Sequence, residues 1–373
     1  MAPARAAREF VVTDRQLPGE AMSAPFRRLE AELAACEAKL LSVMVYGGLG
    51  ARVEIERAMS DAHGATDWPV TWIDGADGAR TPFAGFQAFA ISECPVTRIR
   101  LGNRVVASIF EDGSARHCLL GGLGPTATGL PPAAQAQQAL GNLEWALGLA
   151  DFKLSDVVRT WFYNENIVTW YGDFNRVRSA HYAAVPFRTR SLPASTGIGA
   201  RNAAGAALTI AAWAMQPLAS TAGAKEIGSP LQCPAPAYGS SFSRAMELES
   251  GGWRRLFVSG TASIAPDGRT AWVNNPGKQV RLTMEVVAAI LHSREMDWSN
   301  ITRATAYFRS LAFKSHFDEW CAQRQLRGMP VIALQAEVCR AELLFEIEVD
   351  ASRPSSDDCA RIRPHYPASK RAK

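Results

Sequence analysis

The chain has no run of the roughly 18 consecutive apolar residues that a membrane-spanning helix needs, and its longest Ala-rich stretch, Asn202–Met215, reads as a buried strand. The N-terminal segment holds Arg5 and Arg8 but no apolar block behind them, so a secretory signal is not expected and a cytosolic location is. The seven cysteines are odd in number, scattered and never in C-x-x-C spacing, which argues against a disulfide framework or structural zinc. The six histidines form no H-E-x-x-H or related pattern, so no metal site is expected. Basic strips interleaved with aromatics are missing too, which argues against nucleic acid as a partner. Net charge is only +4, and much of that excess sits in Arg361–Lys373, read as a disordered basic tail.

What is there is the composition of a globular protein. Of 373 residues, 47% are hydrophobic and 20% charged, enough for two domains with real cores. Laying the middle of the chain over its last third at an offset of 144 residues brings Gln135 onto Gln279, Ser155 onto Ser299, Arg159 onto Arg303 and Tyr163 onto Tyr307. Each copy runs in the same order: a glycine-bearing strand (Leu119–Gly122, then Phe257–Gly260), a helix, a strand, a second helix and a final strand. The first helices carry apolar stripes at Ala139, Leu143, Leu147 and at Val280, Met284, Ile290. The strands that follow alternate, with Arg159, Trp161 and Tyr163 sharing one face and Arg303, Thr305 and Tyr307 sharing its counterpart. The second helices are expected from Tyr171 to about Tyr182 and from Lys314 to about Leu326.

The closing strand, Glu342–Asp350, is the most informative segment. Leu343, Phe345, Ile347 and Val349 form an apolar face for the helices, so Leu344, Glu346 and Glu348 point the other way. If a second sheet covers that face, Glu346 becomes a buried carboxylate with a raised pKa. Domain boundaries follow from these patterns. Residues 1–95 form an N-terminal subdomain that does not repeat the module cleanly, with a helix over Phe26–Lys39, a strand over Leu41–Tyr46 and an edge-like Trp68–Trp72. A hairpin over Arg98–Phe110, turning at Gly102-Asn103, comes next. Residues 96–216 are the first module, 217–236 a linker rich in small residues, 237–352 the second module with the active site, and 353–373 the tail.

Val157-Val158-Arg159-Thr160 and Phe345-Glu346-Ile347-Glu348 are where each copy resembles the YjgF/RidA fold. Longer stretches resemble the chorismatases, enzymes that remove pyruvate from chorismate: Arg159–Tyr163, Asp173–Arg178, Ser195–Gly199, Tyr238–Arg244 and Ser259–Ser263. They lie in the family's order over roughly Leu41–Asp350. The resemblance implies an α+β fold of two tandem YjgF/RidA-like (chorismate-mutase-like) modules in a pseudo-trimer-like arrangement with an N-terminal extension.

The resemblance further implies a catalytic glutamate on the last strand of the second module, matched by Glu346, with Thr209 at the corresponding place in the first. One catalytic centre per chain is therefore expected. Chorismate is a dianion with an enolpyruvyl ether, and its cleavage starts with protonation of the methylene carbon, a task for a neutral Glu346. Two substrate carboxylates ask for arginine forks, and Arg159, Arg201, Arg244 and Arg340 are the candidates, with Arg303 read as structural. Tyr238 and Tyr163 are candidate hydrogen-bond donors to the substrate; Gly197, Gly199 and Gly260 allow close backbone approach, and Ala262 bears on water access. Cys339, seven residues before Glu346, points to the family's aromatising branch, with its thiolate as a candidate base for restoring aromaticity. That branch makes 3-hydroxybenzoate and pyruvate, and some members also release 4-hydroxybenzoate. The alternatives are a hydrolytic chorismatase giving a dihydroxycyclohexadiene carboxylate, and a RidA-like small-ligand binding or imine deaminase protein. No cofactor or metal is implied, the partner is the small molecule alone, and monomer and homodimer both stay open.

Overall fold

The structure is a computed structural model that describes residues 7–75, 82–326 and 328–355, so Arg361–Lys373 lies outside the described residues. The first 95 residues contain β1 (Arg8–Asp14), α1 (Ala24–Cys36), β2 (Lys39–Gly47), α2 (Arg52–His63), β3 (Val70–Ile73) and β4 (Phe83–Ser92). The middle of the chain adds β5 (Thr97–Leu101), β6 (Arg104–Glu111), β7 (Ala115–Leu123), α3 (Pro132–Leu149), β8 (Val157–Asn164), α4 (Ile167–Tyr182), β9 (Ala194–Gly199) and β10 (Leu208–Pro217). The last third supplies β11 (Gly223–Ile227), β12 (Ala245–Ser250), β13 (Trp253–Ala262), α5 (Pro276–His292), β14 (Ile301–Phe308), α6 (Lys314–Gln323), β15 (Val331–Gln335) and β16 (Phe345–Pro354). No helix among the described residues is long and apolar enough to cross a membrane.

The strands form three sheets, ordered β1-β4-β2-β3, β5-β6-β7-β10-β8-β9 and β11-β12-β13-β16-β14-β15. The α+β reading holds, and the two long sheets repeat each other strand for strand. The repeated glutamines do the same work in both copies. Gln135 Oε1 accepts from Ala207 N at 2.7 Å and Gln279 Oε1 from Leu344 N at 2.8 Å, so each ties its helix to the segment entering the final strand.

The N-terminal segment turns out to be a third, shortened copy. Its order β1-β4-β2-β3 is the longer order without the leading hairpin. The registers agree as well: Tyr46 pairs with Gly85 and Ile73, Tyr163 with Thr209 and Ile198, and Tyr307 with Glu346 and Leu334. Three tyrosines thus occupy one structural position, and Gly85, Thr209 and Glu346 another. This copy is hidden in the sequence because its leading hairpin is gone and its loops differ in length, which removes any constant offset.

Alternation along each strand separates an inner from an outer face. Val43 and Val45 pack outward against α1 and α2, Phe162 and Leu208 against α3 and α4, and Phe345, Ile347 and Val349 against α5 and α6. The inner faces meet in one shared core that includes Met44, Tyr46, Phe89, Trp161, Tyr163, Trp213, Phe257 and Tyr307. Helices therefore stand outside and three sheets close around a common axis. This arrangement covers the acidic face of β16, the condition on which burial of Glu346 depends.

Three local expectations need correcting. The segment 217–236 contains β11, the edge strand paired with β12, whose Gly-Ala-Lys-Glu composition disguises it as a linker. The strand anticipated at Asn202 begins at Leu208, because the Asn202 side chain bonds Ala204 N, Ala206 N and Ala206 O and folds a turn with Gly205 at φ +61°. Helix α4 starts at Ile167 and is kinked at Trp170, whose φ/ψ of −139°/15° is not helical.

Candidate active site

The inner face of β16 carries Glu346, Glu348 and Asp350, all buried. Opposite them lies β9 of the first copy, and hydrogen bonds from its backbone join the two copies there. Ser195 N donates to Ser259 Oγ at 2.8 Å, and Gly199 N to Glu337 O at 2.7 Å. Between these ties a small cavity opens. Arg178, Ser195 and Gly197 line it from the first copy; Tyr238, Phe242, Arg244, Gly260, Ala262, Cys339, Arg340 and Glu346 line it from the second.

Glu346 is 4% exposed and has no ion-pair partner among the described residues. Burial first, and the nearby Glu348 second, push its pKa up to about 8 against the pull of Arg159 and Arg244. It therefore carries a proton at neutral pH. Room for it is made by Gly260: a Cβ there would lie 2.1 Å from Glu346 Oε1. The glycine thus serves the carboxyl group, where close approach to a ligand had been expected. Gly260→Ala is expected to leave the fold intact, because only the end of a flexible side chain must move, and to lower turnover about 10²-fold by displacing the acid. Steady-state rates beside thermal melts check this; unchanged turnover would show that Glu346 does not need its present position.

Glu348, two residues on, has the opposite environment. Burial alone would raise it, but Arg303 and Arg159 outweigh burial and hold it below its ordinary value. Arg303 reaches Glu348 at 3.0 Å and Asp350 at 2.7 Å, while Arg159 Nη2 and Thr196 Oγ1 donate to Glu348 Oε2. Two carboxylates on one strand face are thus set apart, one neutral and one charged.

Three arginines in the cavity wall lack a carboxylate partner among the described residues: Arg178, Arg244 and Arg340. Arg244 donates twice to Cys233 O, at 3.0 and 2.9 Å, and lies over Tyr238 and Phe242. Arg340 donates to Gly268 O at 2.9 Å. Arg178, only 2% exposed, bonds Asn175 at 2.7 Å and sits among Phe162, Phe174 and Phe242, with its Nε unpartnered. The buried guanidinium groups of Arg178 and Arg244 and the half-buried one of Arg340, left without counter-charge among the described residues, suit an anionic ligand.

Of the residues singled out from the sequence, Glu346, Cys339, Tyr238, Arg244, Arg340, Gly260 and Ala262 come together in this cavity, and Gly197 with them. Arg159, Arg201 and Tyr163 do not line it. Arg159 is spent on Glu348, Arg201 pairs with Asp74 at 2.6 Å on the surface, and Tyr163 lies fully buried on the central axis. Gly199 is walled off by Glu337 and Ile167. Arg178 and Tyr171 were not anticipated as lining residues. The signal for Arg178 was present: it falls on the buried stripe of α4 with Ile167, Trp170, Phe174 and Tyr182, where a charged residue needs a reason. The thiolate role for Cys339 is not supported. Burial, with Glu346 second, pushes its pKa up to about 12, so the thiol keeps its proton. No group of three metal-ligating side chains occurs among the described residues.

A crystal structure of a chorismatase superimposes with a TM-score of 0.67, covering 93% of this chain and 99% of that one at 19% identity. This chain has the chorismatase fold. In sequence, a protein of Streptomyces hygroscopicus named 3-hydroxybenzoate synthase is 27% identical over 227 residues, which are 54% of this chain and 64% of the relative. The alignment spans less than two thirds of that relative. No protein-family model matches the chain. The resemblance to the chorismatase family thus holds in sequence and in fold. Within the chorismatase fold seen here, the acid at position 346 has counterparts that cannot act as acids, Thr209 donating to Leu123 O at 3.1 Å and Gly85 abutting Ile332.

Proposed function

We propose that the protein cleaves chorismate to pyruvate and 3-hydroxybenzoate, with Glu346 as general acid. The observation that carries this is a buried carboxyl group, neutral near pH 7, in a cavity with three arginines free of carboxylate partners among the described residues. A dianion with two carboxylates matches that charge; the name of the structural relative, chorismatase, points to the same substrate, and that of the sequence relative, 3-hydroxybenzoate synthase, to the product. Arg178, Arg244 and Arg340 hold the carboxylates, and Tyr238, pushed up to about 12 by burial, stays a neutral hydrogen-bond donor.

Glu346 gives its proton to the enolpyruvyl methylene carbon, which leaves an oxocarbenium centre at the ether carbon. The ring carbon–oxygen bond then breaks with its electron pair going to oxygen, and pyruvate departs. The neighbouring ring hydroxyl bonds to the vacated side of the ring and its proton returns to Glu346. The oxygen's original bond to its own ring carbon then breaks with the electron pair going to oxygen, the carbon it has newly bonded loses its ring proton, and protonation of the oxygen gives the aromatic product, with no water consumed. Cys339, as a neutral thiol beside Glu346, fills the space from which water would attack.

Incubation of the purified protein with chorismate tests the proposal, with pyruvate followed by a coupled dehydrogenase and the organic product identified by mass detection. Pyruvate with 3-hydroxybenzoate is the expected result. The non-aromatic diene would move the protein to the hydrolytic branch, and no pyruvate would remove chorismate as substrate. Because the protonated form of Glu346 is the active one, kcat/KM is expected to fall with rising pH above about 8, tenfold per unit, and to be level below it. A profile flat to pH 10 would rule Glu346 out as the acid. Cys339→Ala is expected to raise the diene share by admitting water; an unchanged product ratio would leave Cys339 with a packing role only.

A further inference from the structure

A second hollow opens outward from the acid cavity. Asn175, Arg176 and Ser240 line it, and it shares Tyr171, Tyr238 and Arg340 with the cavity behind. Tyr171 comes from α4 of the first copy and Tyr238 from the segment before β12 of the second, so the partition between the two spaces lies where the copies face each other. Few ties hold it. The Tyr171 hydroxyl meets Ser240 Oγ at 3.2 Å, and the Tyr238 ring packs on Gly268 below the Arg340 guanidinium at 5.1 Å. Each tyrosine also adjoins a backbone joint: the non-helical Trp170 directly precedes Tyr171, and Gly239, at φ +86°, directly follows Tyr238.

The hollow carries positive charge where an anion would arrive. Arg340 is without a carboxylate partner among the described residues, and the exposed Arg176 is paired only with Asp173 on its own helix. Such a mouth raises the local concentration of small anions.

We propose that this outer hollow is a capture subsite for small organic carboxylates and that Tyr171 and Tyr238 gate its passage to the acid cavity, latched by the Tyr171–Ser240 and Ser179–Ser241 hydrogen bonds. The inference rests on the reading that the inner cavity receives a small dianion. A latch made of hydrogen bonds between neutral hydroxyls, Tyr171 with Ser240 and Ser179 with Ser241, sets how fast the gate opens more than how tightly the closed cavity holds its ligand. A closed gate also keeps bulk water away from the ring.

Stopped-flow tryptophan fluorescence of the full chain, with 3-hydroxybenzoate as probe, tests this at low and high salt. Arg176→Gln is expected to slow association about threefold at low ionic strength and Asp173→Asn to speed it by a similar factor, both effects fading in high salt. Ser240→Ala is expected to raise association and dissociation rates together, several-fold, with Kd near that of the parent. Equal rates in all variants, or no saturable probe binding to the parent protein, would overturn the proposal. Probe binding without pyruvate release from chorismate would instead overturn the proposed reaction and leave the subsite standing.

Discussion

Glu346→Gln is expected to lower pyruvate release from chorismate by about 10³-fold or more, with chorismate binding retained. Glutamine matches the shape that Gly260 accommodates, so the cavity and its arginines stay as they are. What is lost is the proton, which an amide cannot pass to carbon. The same substitution has a second signature. The folded pKa of about 8 lies above the ordinary 4.5, so between those values the folded chain keeps a proton that the unfolded chain has released. Stability therefore falls as pH rises through that window. Glutamine removes the slope, and the variant is expected to be more stable than its parent at pH 8, with the gap closing toward pH 5. Pyruvate assays and denaturant titrations at the two pH values measure both effects; retained turnover would sink the general-acid assignment.

Glu348→Gln is expected to cost about 3 kcal/mol or more of folding stability, because it leaves Arg159 and Arg303 buried with half their counter-charge gone. Asp350 still pairs Arg303, but Arg159 loses its only ion-pair partner among the described residues. The charge also acts on chemistry. Glu348 is the second cause of the raised pKa of Glu346, after burial, while Arg159 works against it. Removing the negative charge and freeing the positive one both favour ionised Glu346. The alkaline limb of kcat/KM is therefore expected to move to lower pH in this variant. A large loss of stability with an unmoved limb would mean that burial alone keeps Glu346 neutral. Buried ion pairs are poor stabilisers compared with apolar packing, and a role in setting the acid is a reason to keep this one.

Much of the site was legible because strand periodicity is strict. Alternation in Phe345-Glu346-Ile347-Glu348 fixed which way the acids point, and the repeat implied that a sheet would cover them. Thr209 was placed opposite Glu346 by counting, and the register with Tyr163 and Tyr307 agrees. Periodicity is silent about partners, and there the sequence misled. Arg159 and Arg303 are equivalent residues, yet only the fold shows that both turn toward Glu348, because the contacts of Arg159 cross between copies. Arg201 follows a suggestive glycine-rich strand but swings to the surface, where Asp74 meets it. The third copy stayed hidden because its likeness to the others is one of strand order and register, to which Ser42 at the position of Arg159 gives no clue.

The three tyrosines on the central axis mark equivalent places, whereas Gly85, Thr209 and Glu346 do not match. An assembly of identical subunits cannot make such a distinction. Any change in one must appear in all, so an acid set beside the axis would come in threes and repel its copies. Covalent linkage removes that constraint. With the copies in one polypeptide, one position holds the carboxyl group of Glu346 while its equivalents hold Thr209 and Gly85, an asymmetry that three identical subunits cannot carry.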